Sequence, residues 1–297
     1  MRPFTRAGIA QRPMRPRLTI ARFRRVCLAS GTLAVVAACS VSERDELEMG
    51  SAEAASIDSQ VPIVRDTAIT QFVTRLGRSL TSQTDRADLD WRFTVVNVWP
   101  VNAFALPGGY VYVTRGLIEQ SGRLDELAGV MGHELAHVVR RHTAKQIQAG
   151  REQEAGVALL CTLTGLCRTI GGAIAVQVGA DAQTAQYSQR HEAEADSVGV
   201  IITRRAGIDP EGLPLFLETV LAQRSEQPTP LEAFFASHPT DESRIAALRR
   251  HIAVLGPSPG GALLRDTPEF QAFRDLVRRL PLPPPPYDTL GAPSRRQ

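Results

Sequence analysis

The amino-acid sequence predicts an α+β fold that is mostly helical and contains a small antiparallel or mixed sheet. Most of the chain repeats its apolar residues at three- and four-residue intervals, which is typical of helices packed on a core. Two short segments differ, WRFTVVNVW from Trp91 and YVYVT from Tyr110, because both are rich in residues that favour strands. With 297 residues, of which 43% are hydrophobic, the chain can bury one substantial core.

The N-terminus has the composition of an export signal, which we assign to residues 1–38. Eight arginines and no acidic residue lie in the first 25 positions, and an apolar run follows from Val26 to Ala38. The run ends in Val-Ala-Ala-Cys at Cys39, which resembles a bacterial lipobox, where the cysteine is lipidated and anchors the mature protein to a membrane. An ordinary cleaved signal with an incidental cysteine is the alternative. Twin-arginine and general export are both compatible with this segment.

The residue after the lipobox cysteine bears on location. In enteric bacteria an aspartate there retains lipoproteins at the inner membrane, whereas this chain has Ser40. By this resemblance we expect the periplasmic face of the outer membrane.

The charge of the chain argues against a nucleic-acid partner. The formal net charge is +3, but without the eight N-terminal arginines 26 basic residues stand against 31 acidic ones. Positive charge is therefore concentrated in a segment that we expect to be removed, and not on a folded face.

The first elements after the signal are assigned from their patterns. Residues 39–60 are small, polar and acidic without apolar periodicity, so we expect a flexible tether. A helix is expected from 61 to about 83, followed by the two strands, which a loop containing Pro107-Gly108-Gly109 would join. A long helix is then expected from Arg123 to about Ala149.

The second half of the chain is predicted to be helical. Residues 156–180 are apolar and glycine-rich, which favours a buried helical hairpin, with lipid contact as the alternative. The domain prediction is an export signal with lipobox over 1–38, a tether over 39–60, one domain over 61–256, and a short helix with a proline-rich tail over 257–297. Further helices are expected over 187–205, over 213–222, from near Thr240 to Gly256, and over 267–279.

Two cysteines lie beyond the export segment, Cys161 and Cys167. They can form a disulfide in an oxidising compartment, but residues six apart on one helix point about 240° apart. A bridge therefore needs a break, which Thr164-Gly165 can supply. Two buried thiols are the alternative.

The stretch GHELAHVV, from Gly132 to Val139, has the spacing of a metal site. Residues four apart on a helix lie about 40° apart and one turn along, so His133 and His137 can bind one metal ion. Glu134 points about 100° away from His133, where it cannot share the ligand positions but can accept a proton from a metal-activated water. A buried helix with two satisfied histidines, or a glutamate paired with a nearby arginine, is the structural alternative.

The segment HEAEADSVG, from His191, supplies further candidates. Glu192 and Asp196 are again four apart on one helical face. Glu192 can complete a ligand set of two histidines and one glutamate, and Asp196 can hold a liganding imidazole in its proper tautomer. Acidic residues on an exposed helix are the alternative.

HELAH followed about 55 residues later by ExxAD, from Glu192 to Asp196, resembles the HtpX-like zinc metallopeptidases, the gluzincin-type family that includes the CAAX prenyl endopeptidases and periplasmic quality-control proteases. NAFALPGGYVYVTRGLI, from Asn102, is similar to that family's sequence entering the active-site edge strand. SHPTDESR, from Ser237, is similar to its HP-plus-arginine motif. The four motifs occur in the family's order over roughly half the chain.

The resemblance implies a gluzincin-like zinc metallopeptidase domain with HExxH on its active-site helix and one Zn²⁺ per chain. The implied ligands are His133, His137 and Glu192, with Glu134 as general base and Asp196 behind the ligands.

The resemblance also implies roles around the metal. His238 and Arg244 would stabilise the oxyanion, and Asn102 and Ala103 of the edge strand would bind an extended substrate. In some periplasmic relatives the equivalent histidine binds zinc as a fourth ligand and silences the enzyme. His238 is therefore an oxyanion or substrate contact, a switch, or a structural residue before Pro239.

The predicted function is that of a membrane-anchored periplasmic zinc metalloendopeptidase that cleaves unfolded or misassembled envelope proteins through attack by a zinc-activated water. The alternative is a zinc-containing chaperone-like or binding lipoprotein whose site His238 blocks. The sequence does not predict the oligomeric state.

Overall fold

The structure is a computed structural model that describes residues 41–164, 170–224, 231–257 and 261–284. Within these ranges the chain forms ten helices and one three-stranded sheet, which confirms the predicted mostly helical α+β fold. The export segment with Cys39, one member of the cysteine pair, Cys167, and the proline-rich residues beyond 284 lie outside the described residues, so what the sequence predicts for the anchor, the disulfide and the tail stays a prediction.

The elements follow one another in short steps. The strands are β1 (Arg92–Val96), β2 (Ala103–Leu106) and β3 (Tyr110–Thr114). The helices are α1 (Glu43–Gln60), α2 (Thr67–Thr81), α3 (Arg115–Gln120), α4 (Leu124–Val139), α5 (His142–Thr164), α6 (Ile170–Arg205), α7 (Gly212–Ala222), α8 (Glu232–Ser237), α9 (Glu242–Val254) and α10 (Pro268–Arg278).

The sheet has the strand order β1-β3-β2, with β1 parallel and β2 antiparallel to β3. The prediction of two strands joined by the proline-glycine loop was wrong, because that turn joins β2 to β3 instead. Gly108 and Gly109 supply the positive φ angles of 82° and 96° that this tight turn requires. The sequence does not predict β2, because its four residues, AFAL, show no alternation of apolar and polar side chains.

The predicted tether over 39–60 is a helix, α1, from Glu43 onward. Ser42 and Asp45 cap it reciprocally, each side chain accepting from the other residue's backbone N–H. Gly50 and Ala54 lie on its buried face, where a Cβ at Gly50 would come within 1.8 Å of the Pro107 carbonyl oxygen. Such a helix packs by close backbone approach, so it lacks the large apolar residues that would reveal it in the sequence.

The long helix predicted from Arg123 to Ala149 is broken after the HELAH motif. α4 ends at Val139, and Arg141 adopts a left-handed backbone conformation with φ of 56° before α5 begins. The carboxylate of Glu46, only 1% exposed, accepts from Arg141 Nε at 2.5 Å and from Arg86 Nη1 at 2.8 Å. The break is held by a partner on α1, 95 residues away, which explains why no local glycine or proline marks it.

α4 lies at the centre of the core, with almost every residue from Leu124 to Val138 buried. It crosses α6 at very short range, because two glycines face each other there. A Cβ at Gly132 would lie 2.6 Å from Thr203 Oγ1, and one at Gly199 would lie 2.9 Å from the backbone nitrogen of His133. The HELAH turn of α4 therefore lies directly against the backbone of α6.

The described residues after 257 complete the core. Phe270, Phe273 and Val277 of α10 are buried, and the Phe273 ring stacks on Phe72 of α2 with centroids 4.1 Å apart. Buried Arg115 donates to three carbonyl groups at the end of α10, those of Arg278, Leu280 and Pro281. The predicted short helix is present, and it belongs to the same core as the rest of the domain.

The segment predicted as a helical hairpin is helical on both sides of residues 165–169, in α5 and α6. Among the described residues, no helix combines the length and the apolar character that a membrane span needs.

Replacing Gly199 with alanine tests the helix crossing. We expect Gly199→Ala to lower the free energy of unfolding by roughly 1–3 kcal/mol, because the new methyl group would press on the α4 backbone. Gly150→Ala in α5 is the control, since a Cβ there meets nothing within 4 Å and should raise stability by up to ~1 kcal/mol. Urea unfolding midpoints measure both, and equal shifts of the two variants would contradict the close crossing.

Candidate metal centre

Three parts of the fold deliver side chains to one buried site. α4 supplies His133, Glu134 and His137, and α6 supplies Glu192 and Asp196. The short link between α8 and α9 supplies His238, whose backbone N–H donates to the Phe234 carbonyl as the cap of α8. Arg244 lies in the first turn of α9, where its backbone N–H donates to the side chain of the N-cap Asp241.

Four side chains bring one potential ligand atom each into what we call the donor cluster: His133 Nε2, His137 Nε2, His238 Nδ1 and the Glu192 carboxylate. His133 Nε2 lies 3.1 Å from His137 Nε2 and 3.2 Å from His238 Nδ1. The oxygens of Glu192 lie 3.4, 3.3 and 3.1 Å from the nitrogens of His133, His137 and His238, respectively.

The donor cluster fits a tetrahedral divalent metal ion. Bonds of about 2.0–2.1 Å in a tetrahedron separate the ligand atoms by about 3.3–3.4 Å. The distances from His133 and from Glu192 are close to this value, and all four ligand atoms lie within 4.8 Å of one another. The charge of the site also favours a metal ion. The carboxylates of Glu134, Glu192 and Asp196 lie together with one guanidinium, that of Arg244. With the imidazoles neutral, as metal binding requires, these groups carry an excess of about two negative charges, which a dication balances.

A second layer of contacts holds the ligands. Asp196 Oδ1 lies 2.9 Å from His133 Nδ1, which leaves Nε2 of that ring for the donor cluster. Arg244 donates to both oxygens of Asp196, each at 2.8 Å, and its Nη1 lies 3.2 Å from Glu192. The same Nη1 donates to the Pro239 carbonyl at 3.0 Å. These contacts occupy the guanidinium that the resemblance assigned to the oxyanion, and they favour a positioning role for Arg244.

His238 touches both halves of the site. Its Nδ1 belongs to the donor cluster, and its Nε2 lies 3.2 Å from Glu134 Oε1. Burial lowers the pKa of His238, but the carboxylates of Glu134 and Glu192 outweigh burial and raise this pKa to about 10. The imidazole is thus held electrostatically between the expected base and the expected ligand.

The carboxylates of the site are ionised. Burial raises the pKa of Glu192, yet the three imidazoles of the donor cluster hold it well below its ordinary value. Burial also raises the pKa of Asp196, but the contacts of its carboxylate with His133 and Arg244 outweigh burial and lower this pKa to about 2. The charges of His238 and His133 also lower the pKa of buried Glu134, in spite of its burial. The expected ligand Glu192 and the expected base Glu134 therefore both favour their charged forms.

His142 and Glu194 also lie at the site, and the sequence did not predict a role for either. His142, the first residue of α5, is buried, with its Nδ1 3.0 Å from His137 Nδ1 and its Nε2 3.3 Å from Glu194. Burial and the neighbouring histidines lower the pKa of His142 to about 4. A histidine five positions after His137 would not face it on a continuous helix, so only the break at Arg141 brings the two rings together.

The two residues predicted to bind substrate lie at the start of β2. The backbone N–H of Asn102 donates to the Thr114 side chain, and the Asn102 carbonyl accepts from both the backbone N–H and the hydroxyl of Thr114. These backbone groups of Asn102 are therefore already bonded within the sheet. In an antiparallel ladder the next residues that face outward are Ala103 and Ala105. Ala103 is only 1% exposed, whereas Ala105 is half-buried.

The comparison with known proteins decides the family. Residues 66–252 match the family model described as peptidase family M48, and this range contains the whole donor cluster. The chain belongs to peptidase family M48. The family that the four motifs resembled is thereby confirmed.

Several curated M48 relatives resemble the chain along most of its length. It is 30% identical over 228 residues to the beta-barrel assembly-enhancing protease of Escherichia coli (strain K12), covering 74% of this chain and 46% of that protein. It is 27% identical over 227 residues to the mitochondrial metalloendopeptidase OMA1 of Schizosaccharomyces pombe, covering 74% and 64%. For the metalloprotease YcaL of Escherichia coli (strain K12), the identity is 24% over 229 residues, covering 77% and 87%. The chain thus spans about half the length of the first M48 relative.

Replacing Arg244 with lysine tests the second layer of this M48 site. Lysine keeps the charge but cannot form the paired hydrogen bonds that Arg244 donates to both oxygens of Asp196. We therefore expect Arg244→Lys to lower the free energy of unfolding by roughly 1.5–3 kcal/mol. Arg249→Lys on the same helix is the matched control, because its fork binds Glu218 at the surface. The Arg249 side chain is 41% exposed against 11% for Arg244, so its loss should cost less than about 1 kcal/mol. Equal losses in urea unfolding would contradict the assignment.

Proposed function

We propose that the protein is a zinc metalloendopeptidase of the cell envelope that cleaves unfolded or misassembled envelope proteins. The observation that carries this proposal is the donor cluster, whose four ligand atoms lie within 4.8 Å of one another with the buried Glu134 beside them. Zinc is the metal we assign, because a set of imidazoles and one carboxylate is typical of zinc hydrolases.

His133, His137 and Glu192 would hold the zinc, and Asp196 and Arg244 would hold these ligands in position. Bound there, zinc would polarise a peptide carbonyl and lower the pKa of a water molecule. Glu134 would take the proton of the attacking water and deliver it to the leaving amine. A base must be ionised to do so, and the lowered pKa of Glu134 satisfies that requirement.

Substrate would bind as an extended strand along the open edge of β2. Among the described residues no strand pairs with that side of β2, where the main chain of Ala103 and Ala105 points outward. Backbone pairing of this kind requires free N–H and C=O groups on the substrate, which an unfolded or incompletely assembled protein offers and a folded one rarely does.

His238 would act as a reversible plug. Its two ring nitrogens engage the donor cluster and Glu134 at once, so water and substrate are kept from both. Ser237, one residue before, lies 3.5 Å from the Asn102 side chain beside buried Ala103. Movement of residues 237–240 would free the fourth ligand position and the start of the edge strand together.

The substrate class and location rest on kinship and on the N-terminal pattern. Proteins named beta-barrel assembly-enhancing protease are among the relatives, which favours envelope proteins as substrates. Cys39 would carry the lipid anchor at the periplasmic face of the outer membrane, with residues 1–38 removed. Mass spectrometry of the mature N-terminus tests this part, and an unmodified Cys39 would contradict it.

A second candidate function is that of a zinc-containing binding or chaperone-like lipoprotein. The position of His238 in the donor cluster favours it, since a permanently filled fourth position would leave no place for a reacting water.

The Glu134→Gln variant tests the peptidase proposal. Glutamine keeps the shape of the side chain but cannot accept the proton, so cleavage of unfolded casein should fall by about 10²–10⁴-fold while zinc content stays unchanged. Glu269→Gln, at an exposed ion pair with Arg75, is the control and should cleave like the wild type. Wild-type rates in Glu134→Gln would sink the assignment of this base.

The His238→Ala variant distinguishes the plug from a substrate contact. If His238 blocks the site, its removal should raise kcat/KM for casein by about tenfold, because more of the protein is competent to bind. His251→Ala on α9 is the control. A fall in kcat/KM would assign His238 to substrate or oxyanion binding. No cleavage by either His238→Ala or the wild type would favour the non-enzymatic alternative.

A further inference from the structure

We propose that His142 is a positioning residue that orients the metal ligand His137 through a hydrogen-bonded chain ending at Glu194. This inference rests on the proposed function in one respect, namely that His137 holds the metal. It concerns residues that none of the four sequence motifs predicted.

The chain is defined by two contacts. His137 directs Nε2 into the donor cluster, and its other nitrogen, Nδ1, lies 3.0 Å from His142 Nδ1. The far nitrogen of His142, Nε2, lies 3.3 Å from Glu194 Oε2. Arg140 Nε lies 3.3 Å from the other oxygen of Glu194 and forms a partly exposed ion pair with it.

One arrangement of protons satisfies every contact. A histidine that binds metal through Nε2 carries its proton on Nδ1, so His137 is the donor and His142 Nδ1 must be the acceptor. A neutral His142 then carries its own proton on Nε2, where Glu194 accepts it. Each ring therefore has one possible tautomer, and the chain fixes the orientation of His137 as a carboxylate does for other metal-binding histidines.

His142 cannot be replaced by water in this role. The side chain is 3% exposed, and its ring stacks on that of His191 with centroids 4.1 Å apart and planes 9° apart. The stacking fixes the plane of the His142 ring, and the two hydrogen bonds fix its rotation within that plane.

The break between α4 and α5 brings His142 to this position. α4 ends at Val139, and the left-handed Arg141, held by buried Glu46, turns the chain so that the first residue of α5 faces back toward His137. A non-glycine residue at positive φ is strained, and it persists only where its surroundings hold it.

The two histidines of HELAH are thus supported in different ways. Asp196 contacts His133 directly at 2.9 Å, whereas His137 reaches a carboxylate only through a second imidazole. The difference follows from the fold, because Glu194 points to the opposite side of α6 from the face that carries Glu192 and Asp196.

Zinc affinity tests the proposal without reference to proteolysis. The zinc-loaded full-length chain is titrated with a chelating dye, comparing wild type with His142→Phe, which keeps the stacked ring but removes both nitrogens. We expect zinc to bind about 10–100-fold more weakly in His142→Phe. His142→Asn places an amide oxygen near the former Nδ1 and should bind zinc about tenfold more tightly than His142→Phe. His251→Phe, the same change at a histidine that contributes no ligand atom to the donor cluster, should retain wild-type affinity.

Three outcomes would overturn the proposal. Unchanged zinc affinity in His142→Phe, beside a clear loss in His137→Ala, would remove the positioning role while leaving the metal site intact. A loss of affinity in His142→Phe matched by an equal loss of fold stability in excess chelator would make the role structural. Equal affinities of His142→Phe and His142→Asn would show that no acceptor is needed.

The absorption spectrum of the cobalt-substituted chain gives a readout that a purely structural role would not move. Its visible bands report the geometry of the ligand nitrogens, so they should shift in His142→Phe and return toward wild type in His142→Asn. Failure of the proposed function is recognised separately, because a wild-type chain that bound no zinc would remove the metal centre itself.

Discussion

The close crossing of α4 and α6 is the constraint on which the rest of the site depends. Gly132 and Gly199 bring the two backbones so near that a single methyl group at Gly199 would press on the amide of His133. Ligand atoms from both helices can then lie 3.1–3.4 Å apart, which is the spacing that one small ion requires. Because tightly packed helices yield little to added volume, this crossing fixes both the position and the direction of the side chains that converge there.

The site also holds several ionisable side chains close together in the protein interior. Three carboxylates lie together at the end of the crossing, and burial alone would drive them toward their neutral forms. Arg244 and the imidazoles instead keep Glu192 and Asp196 ionised. A dication completes the neutralisation, so we expect metal binding and folding stability to be coupled in this protein. His238 lies between Glu134 and Glu192 and contacts both carboxylates, so it belongs to the same network of charges.

The sequence predicted what depends on helical periodicity and missed what depends on distant contacts. The pairs His133–His137 and Glu192–Asp196 followed from four-residue spacing, and the structure brings them together as expected. α1 was predicted to be a tether, because a helix that packs through glycine and alanine leaves no apolar periodicity. The break at Arg141 depends on Glu46, and the contact of His142 with His137 depends on that break. Neither could be predicted locally, since no glycine or proline stands there.

We propose that His133, His137, Glu192 and His238 surround one zinc ion in the resting protein. Diffraction data recorded on either side of the zinc absorption edge, from crystals of the wild-type chain, would locate this ion. We expect one anomalous peak per chain, about 2.0–2.1 Å from His133 Nε2, His137 Nε2, the Glu192 carboxylate and His238 Nδ1. The absence of a peak there, or a peak coordinated by water with His238 turned away, would contradict it.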